Sequence, residues 1–346
     1  MKKQNLSSKK SVLRIVLAMF VCLLGMNDLM AQTAVLDHEG ELSMFYGPDS
    51  FIAAYNAAVD EDVITLSEGN FNPCDISKSI TVHGAGAYDD PDEGSFATRF
   101  TNYCRVGSSP TIEGVKFGIV YLVNQSSPQF VKCSIVLVQP PHNSNESGSH
   151  CQTVCFTNCY ILGLRLYHTW TSGNHSYYYY IDNCHIVNSV VWSISDFTGQ
   201  DHIASNSIIR MTSNMTNFAS YNSIIIRDNG CLPTNTCSFF NCIGVKNGNE
   251  GLVFENSLNS NVVEYNNITD VFPAYVGEDI FDEEFILDAS IATGFLGNNG
   301  TEVGIHGGYY PYSSHPGYMR MQHCTVGDRT TNDGHLSVDL EVVTEE

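Results

Sequence analysis

The 346 residues carry 16 Lys and Arg against 37 Asp and Glu, a formal net charge of −21 at pH 7, and 43% of them are hydrophobic. An acidic surface of this kind disfavours nucleic acid, whose phosphates need cationic neutralisation, and polyanionic glycans unless metal ions bridge them. A chain of this size can hold one elongated core built from stacked repeats without dividing into globular domains.

Lys2, Lys3, Lys9, Lys10 and Arg14 precede an apolar run from Ile15 to Leu24, and small residues lead on to Ala31. This is the pattern of a secretory signal peptide over 1–31, cleaved after Ala31. The apolar run is too short to cross a bilayer, so no membrane span is expected. The expected location is the periplasm, the outer surface or the medium.

Residues 32–62 read as an opening strand and a capping helix. The helix starts at Pro48 and puts Phe51, Ala54, Tyr55 and Ala58 on one face. It is expected to cover the first open edge of the sheet that follows. Next come Val63-Ile-Thr-Leu66, a turn at Gly69, and Ile80-Thr-Val-His-Gly-Ala-Gly86. This run resembles the opening of pectin-lyase-like β-helix proteins, in which a helix, an acidic turn, a "VITL" strand and an "ITVxGAG" strand follow one another.

A short pattern then recurs: an apolar residue, a spacer, Asn, a small Cys or Ser, a spacer, and Ile. Copies include Phe156-Thr-Asn-Cys-Tyr-Ile161, Ile181-Asp-Asn-Cys-His-Ile186, Ser220-Tyr-Asn-Ser-Ile-Ile225 and Phe254-Glu-Asn-Ser-Leu-Asn259. The step between small residues varies from 15 (Cys242 to Ser257) to 26 (Cys133 to Cys159), which suits a coil whose loops absorb insertions. Asn tolerates the left-handed turn conformation. Asn158, Asn183, Asn206, Asn222, Asn241 and Asn256 are therefore expected to stack as an amide ladder, each amide satisfying the next. Phe117, Ile135, Ile161, Ile186, Ile209 and Ile225 are expected to stack inside. These constraints resemble the right-handed parallel β-helix of pectate lyases and many exported bacterial proteins.

Inserts at 139–150, 167–176 and 228–236 are expected to wall a groove. Residues 276–346 read as a β-rich C-terminal cap, with a Gly-dense run at 297–308 and a last alternating stretch that closes the far edge as an antiparallel strand. The fold expected is thus all-β: a solenoid over 63–275 between a short helical N-terminal cap and a β-rich C-terminal cap.

Candidate chemistry is sparse. Cys133, Cys159, Cys184 and Cys242 fall at the small position and read as buried thiols. Cys231 and Cys237 bracket a short loop and are a disulfide candidate in an oxidising compartment. Asp89, Asp90, Asp92 and Glu93 offer hard oxygen ligands for a structural Ca²⁺, and no other cofactor is expected. Asp182, Asp196 and Asp228 are candidate carboxylates for glycoside hydrolysis, and Arg210 is a candidate lyase base. The motif set of the polygalacturonase branch is absent, so solvated carboxylates are the plainer reading. Tyr167, Trp170, Tyr177 and Tyr179 are candidates for stacking on sugar rings. The function expected is non-catalytic binding of a glycan or cell-surface partner by a monomer, through the inserts at 139–150 and 167–180. The alternative is a polysaccharide lyase or glycoside hydrolase acting in a groove on the same face.

Overall fold

The structure, a computed structural model, describes residues 32–89, 97–123, 126–140, 150–172, 175–197, 201–228, 230–277, 284–309, 311–312, 320–330 and 336–343. The expectations for 1–31 and for Asp90, Asp92 and Glu93 lie outside the described residues.

The chain is all-β. One long, mostly parallel 22-stranded sheet dominates it, accompanied by a separate two-stranded sheet and, among the described residues, three short helices. The parallel strands form rows, and each pass of the chain adds one segment to each of two main rows. One column of the first row runs Ile64, Val82, Ile112, Phe130, Phe156, Ile186, Ala204, Ser220, Phe239 in unbroken register. Every one of these is at most 1% exposed. The matching column of the second row runs Phe71, Phe100, Phe117, Ile135, Ile161, Val191, Ile209, Ile225. These columns face a shared interior, and β-branched and aromatic side chains suit such a surface. A shorter third row joins Ile76, Val106 and Leu122.

The first edge is covered differently from the expectation. The helix is present at Ser50–Ala57 and buries Phe51, Ala54 and Tyr55, with Ala58 just beyond it also buried. The strand partner at that edge, however, is Thr33–His38, which pairs antiparallel with both Val63–Leu66 and Glu41–Tyr46. A strand edge presents unpaired amides and carbonyls, and only another strand can pair them in register. The helix plugs the interior instead, with Phe51 4.7 Å from Phe100. At Gly84 the chain passes so close to the Gly114 carbonyl that a Cβ would lie 2.4 Å from it. This accounts for glycine in the "VHGAG" run.

The C-terminal part also departs from the expectation of an end cap. Residues 271–277 and 284–305 pack sideways onto the outer face of the second row. That face carries Tyr160, Val190, Ile208, Ile224 and Ile243 in register. Val271, Phe272, Phe285, Leu287, Ile291, Val303 and Ile305 bury it. Leu336–Val343 is antiparallel, but it pairs with Arg320–Thr330 and not with the last strand of the long sheet.

Candidate functional site

The turn between the two rows organises everything around it. Gly114, Lys132, Asn158, Asn188, Asn206, Asn222, Asn241 and Asn261 occupy successive turns with φ between 46° and 66°. The register fixes this order: Tyr160 faces Val190, Val190 faces Ile208, and Asn241 precedes the pair Cys242 and Val262. Asn158, Asn206, Asn222 and Asn241 are thus where the repeat put them. Asn183 and Asn256 are not. Asn183 lies within the strand His175–Val187 opposite Thr153 and donates to the Gln152 carbonyl at 3.0 Å. The turn residue of that pass is Asn188, the interior residue is Val191, and Ile186 belongs to the first-row column. Asn256 sits in an exposed turn, and Asn261 takes its place.

Nor do the amides simply satisfy one another. Asn261 donates to Asn241 Oδ1 at 2.6 Å, but the middle of the column bonds to the Gly-dense run. Asn188 Nδ2 donates to the Gly307 carbonyl at 2.7 Å, and Asn222 exchanges bonds of 2.8 and 3.0 Å with Asn298. The Oδ1 atoms of Asn158 and Asn206 are buried without a partner. Two glycines of 297–308 lie against the Asn column: a Cβ on Gly297 would meet Asn222 Oδ1 at 3.0 Å, and one on Gly308, at φ +83°, would meet Asn206 Nδ2 at 2.8 Å.

The ladder proper runs through the next residue. Cys159 N–H donates to Ser189 Oγ (3.0 Å), Ser189 N–H to Ser207 Oγ (3.2 Å) and Ser207 N–H to Ser223 Oγ (3.2 Å). Each serine donates to its own i−2 carbonyl at 2.8 Å, and Cys133, Cys159 and Cys242 place Sγ on the equivalent carbonyl at 3.3 to 3.4 Å. A small side chain with one weak or strong donor satisfies the position, so either Ser or Cys serves there. Burial pushes the Cys133 and Cys242 thiols above their ordinary range, the latter to about 11. Cys184 is buried too, but in mid-strand opposite Val154. Cys231 and Cys237 stand as free thiols, with Cys237 Sγ turned to the Met215 carbonyl at 3.2 Å.

His202 is 1% exposed and stands between Cys184 and Phe218, with neither ring nitrogen partnered. Desolvation lowers its pKa to about 4, against the pull of Asp201 and Asp182 and with a small push from His185. The unfolded chain takes up this proton near pH 6.5 and the folded chain only near 4. His202 therefore contributes full stability above 6.5 and loses it as the pH falls toward 4, by up to about 1.4 kcal/mol per pH unit. In His202→Leu this part of the acid destabilisation is expected to disappear, read from unfolding midpoints between pH 7 and 4.

On the outer face of the second row lies an open groove of about 510 Å³. Its apolar floor includes Val136, Leu137, Leu162 and Trp192, and its polar side Arg165, Ser193, Ser195, Arg210, Thr212 and Asp228. Arg210 is held from two sides: Nη2 is 2.9 Å from Asp228 Oδ2, and its guanidinium carbon is 4.9 Å from the Trp192 ring centre. Trp192 in turn packs on Tyr275 and Phe285 of the C-terminal segment, at 5.8 and 5.6 Å. Ser193 and Thr212 share a 3.0 Å hydrogen bond.

The groove brings Arg210 and Asp228 together. Asp182 lies in the first row beside His202, and Asp196, at φ +61°, accepts from Ser195 Oγ at 3.0 Å. Asp228 is the sole carboxylate lining the groove among the described residues. Asp89 is committed to Arg99 and to the Ala97 amide, and no group of three or more potential ligands is placed to hold a metal among the described residues.

The aromatic insert is an antiparallel arm, Tyr167–Ser172 paired with His175–Tyr180. It starts two residues after the groove residue Arg165. Tyr179 is fully buried, which removes it as a stacking surface. Tyr178 is 51% exposed and stacks on Tyr167 at 6.3 Å. Trp170 and Tyr177 face one another in the backbone register. Sequence reasoning missed Trp192 because it sits in an apolar run that reads as core. No protein-family model and no curated protein matches the chain.

Proposed function

We propose that the protein is an exported right-handed parallel β-helix that holds carbohydrate in the groove beside Trp192 without cleaving it. The observation that carries this reading is the composition of the groove. It offers an apolar and aromatic floor, three hydroxyls and two guanidiniums, the usual donors and platforms for sugar rings. Its one carboxylate is engaged with Arg210. Glycoside hydrolysis requires two carboxyl groups flanking the scissile bond, and among the described residues the groove supplies one. Arg210, fixed by Asp228 and Trp192, orients a ligand and is poorly placed to take a proton.

The test is a panel of neutral and acidic polysaccharides, scored for retention on affinity gels and for new reducing or unsaturated ends. Retention without new ends is expected. Arg165, exposed in the groove, would contribute one charged hydrogen bond, so Arg165→Ala is expected to weaken retention about tenfold or more. New ends would support the lyase or hydrolase alternative. No retention of any glycan would end the binding reading.

A further inference from the structure

Residues 74–76 and 104–106 run side by side where the third row begins. Ile76 and Val106 form a parallel bridge, and Ile76 N–H donates to the Arg105 carbonyl at 2.7 Å. One residue earlier, Arg105 Nε lies 4.0 Å from Asp75 Oδ2. One earlier again, Cys104 Sγ lies 3.5 Å from the Cys74 carbonyl oxygen. Three consecutive contacts thus place Cys74 and Cys104 as neighbours on successive passes. Parallel neighbours are about 4.8 Å apart, inside the Cα separation of about 4.4–6.8 Å that a disulfide spans. Cys104 is buried and Cys74 is half-buried, packed against the same interior.

We propose that Cys74 and Cys104 form a disulfide that ties the first pass of the sheet to the second. Cys74, the more accessible, attacks a low-molecular-weight disulfide R–S–S–R such as oxidised glutathione. Its proton is lost and one RSH departs, leaving a mixed disulfide. Cys104 then displaces the second RSH. The balance is two thiols and R–S–S–R giving one protein disulfide and two RSH, so both electrons end on the oxidant.

The bond belongs to folding rather than to the finished molecule. Burial, with Asp75 beside it, pushes the Cys74 thiol up to about 12, and burial pushes Cys104 higher still. Thiolate is then scarce near neutral pH, so oxidation of the two thiols is slow once the chain has folded. The inference does not depend on what the groove holds. Cys74, Cys104, Cys231 and Cys237 are all free thiols in this structure, and the proposal is separate from a pairing of Cys231 with Cys237.

The test is refolding of the reduced chain in a mixture of reduced and oxidised glutathione, alkylation of free thiols, and peptide mapping, with circular dichroism to confirm that the fold has returned. A linked peptide pair joining Cys74 to Cys104, lighter by two hydrogens than its parts, is expected, and it should vanish in both Cys74→Ser and Cys104→Ser. Reductant added before unfolding should lower the midpoint of the parent and leave Cys74→Ser unchanged. Alkylation of Cys74 or Cys104 in the refolded protein, or linkage of either to another cysteine, overturns the proposal. Cys133 and Cys159, stacked on successive passes in the interior, are the control pair to map alongside.

Discussion

Replacing Asn188 by alanine is expected to destabilise the protein by about 2–4 kcal/mol, while the same change at Asn183 costs about 1 kcal/mol or less. Asn188 is 3% exposed and has φ +46°. Its side-chain amide donates to the Gly307 carbonyl at 2.7 Å and lies 3.3 Å from that of Ile305. Alanine removes these donors from a buried site and places a Cβ in the left-handed region, which costs a further 1 kcal/mol or so. Asn188→Gly separates the two parts: it restores the backbone freedom but not the hydrogen bonds, so it should recover about 1 kcal/mol of the loss. Asn183 makes one bond, to Gln152, in extended backbone near the surface. Urea unfolding midpoints at constant slope give the comparison. Equal losses at 183 and 188 would contradict the assigned register.

The second large effect concerns the interior. Phe130→Ala is expected to cost about 3–5 kcal/mol. Phe100, Phe117, Phe130 and Phe156 form a continuous aromatic file. The first three meet edge to face, with centres 5.2 and 5.9 Å apart, and Phe130 stacks on Phe156 at 5.4 Å. Phe130 is fully buried and faces Ile112 and Phe156 on either side. Truncation removes its buried area and leaves a cavity that rigid neighbouring strands cannot close. Phe130→Leu, which keeps most of the volume, should cost clearly less. Tyr178→Ala, on the exposed arm, should stay within about 0.5 kcal/mol. A loss below about 1 kcal/mol for Phe130→Ala would mean that this file is not packed as described.

The same residues show what a single sequence reveals here. The parallel rows and the turn column were legible at Asn158, Asn206, Asn222 and Asn241, because a left-handed turn selects Asn and its neighbours are constrained on both sides. The pass at 175–191 was misread because two overlapping copies share Ile186. Ile181-Asp-Asn-Cys-His-Ile186 matches the pattern in letters, yet Ile186-Val-Asn-Ser-Val-Val191 holds the turn. Between Ile181 and Asn183 the pairing with Cys151 and Thr153 skips one residue on each strand. Tyr179 and Ile181 are the buried positions before this irregularity, Cys184 and Ile186 those after it. A break in the alternation of this kind leaves no mark in composition, and it misplaced both Asn183 and the outward face of the tyrosines. The groove was illegible for another reason. Trp192 takes its surroundings from Arg210 in the next pass and from Tyr275 and Phe285, far along the chain. The Gly-dense run was visible as a run, but its role follows from lying against Asn188, Asn206 and Asn222, a contact that only the fold defines.

The measurement that bears most directly on this account is a crystallographic map of residues 181–191 with the turn above and below. It should show Asn188 in left-handed backbone, one strand spacing of about 4.8 Å from Asn158 on one side and Asn206 on the other, with its side-chain nitrogen on the Gly307 carbonyl. Asn183 standing in that file, with Asn188 displaced onto a strand, would contradict it.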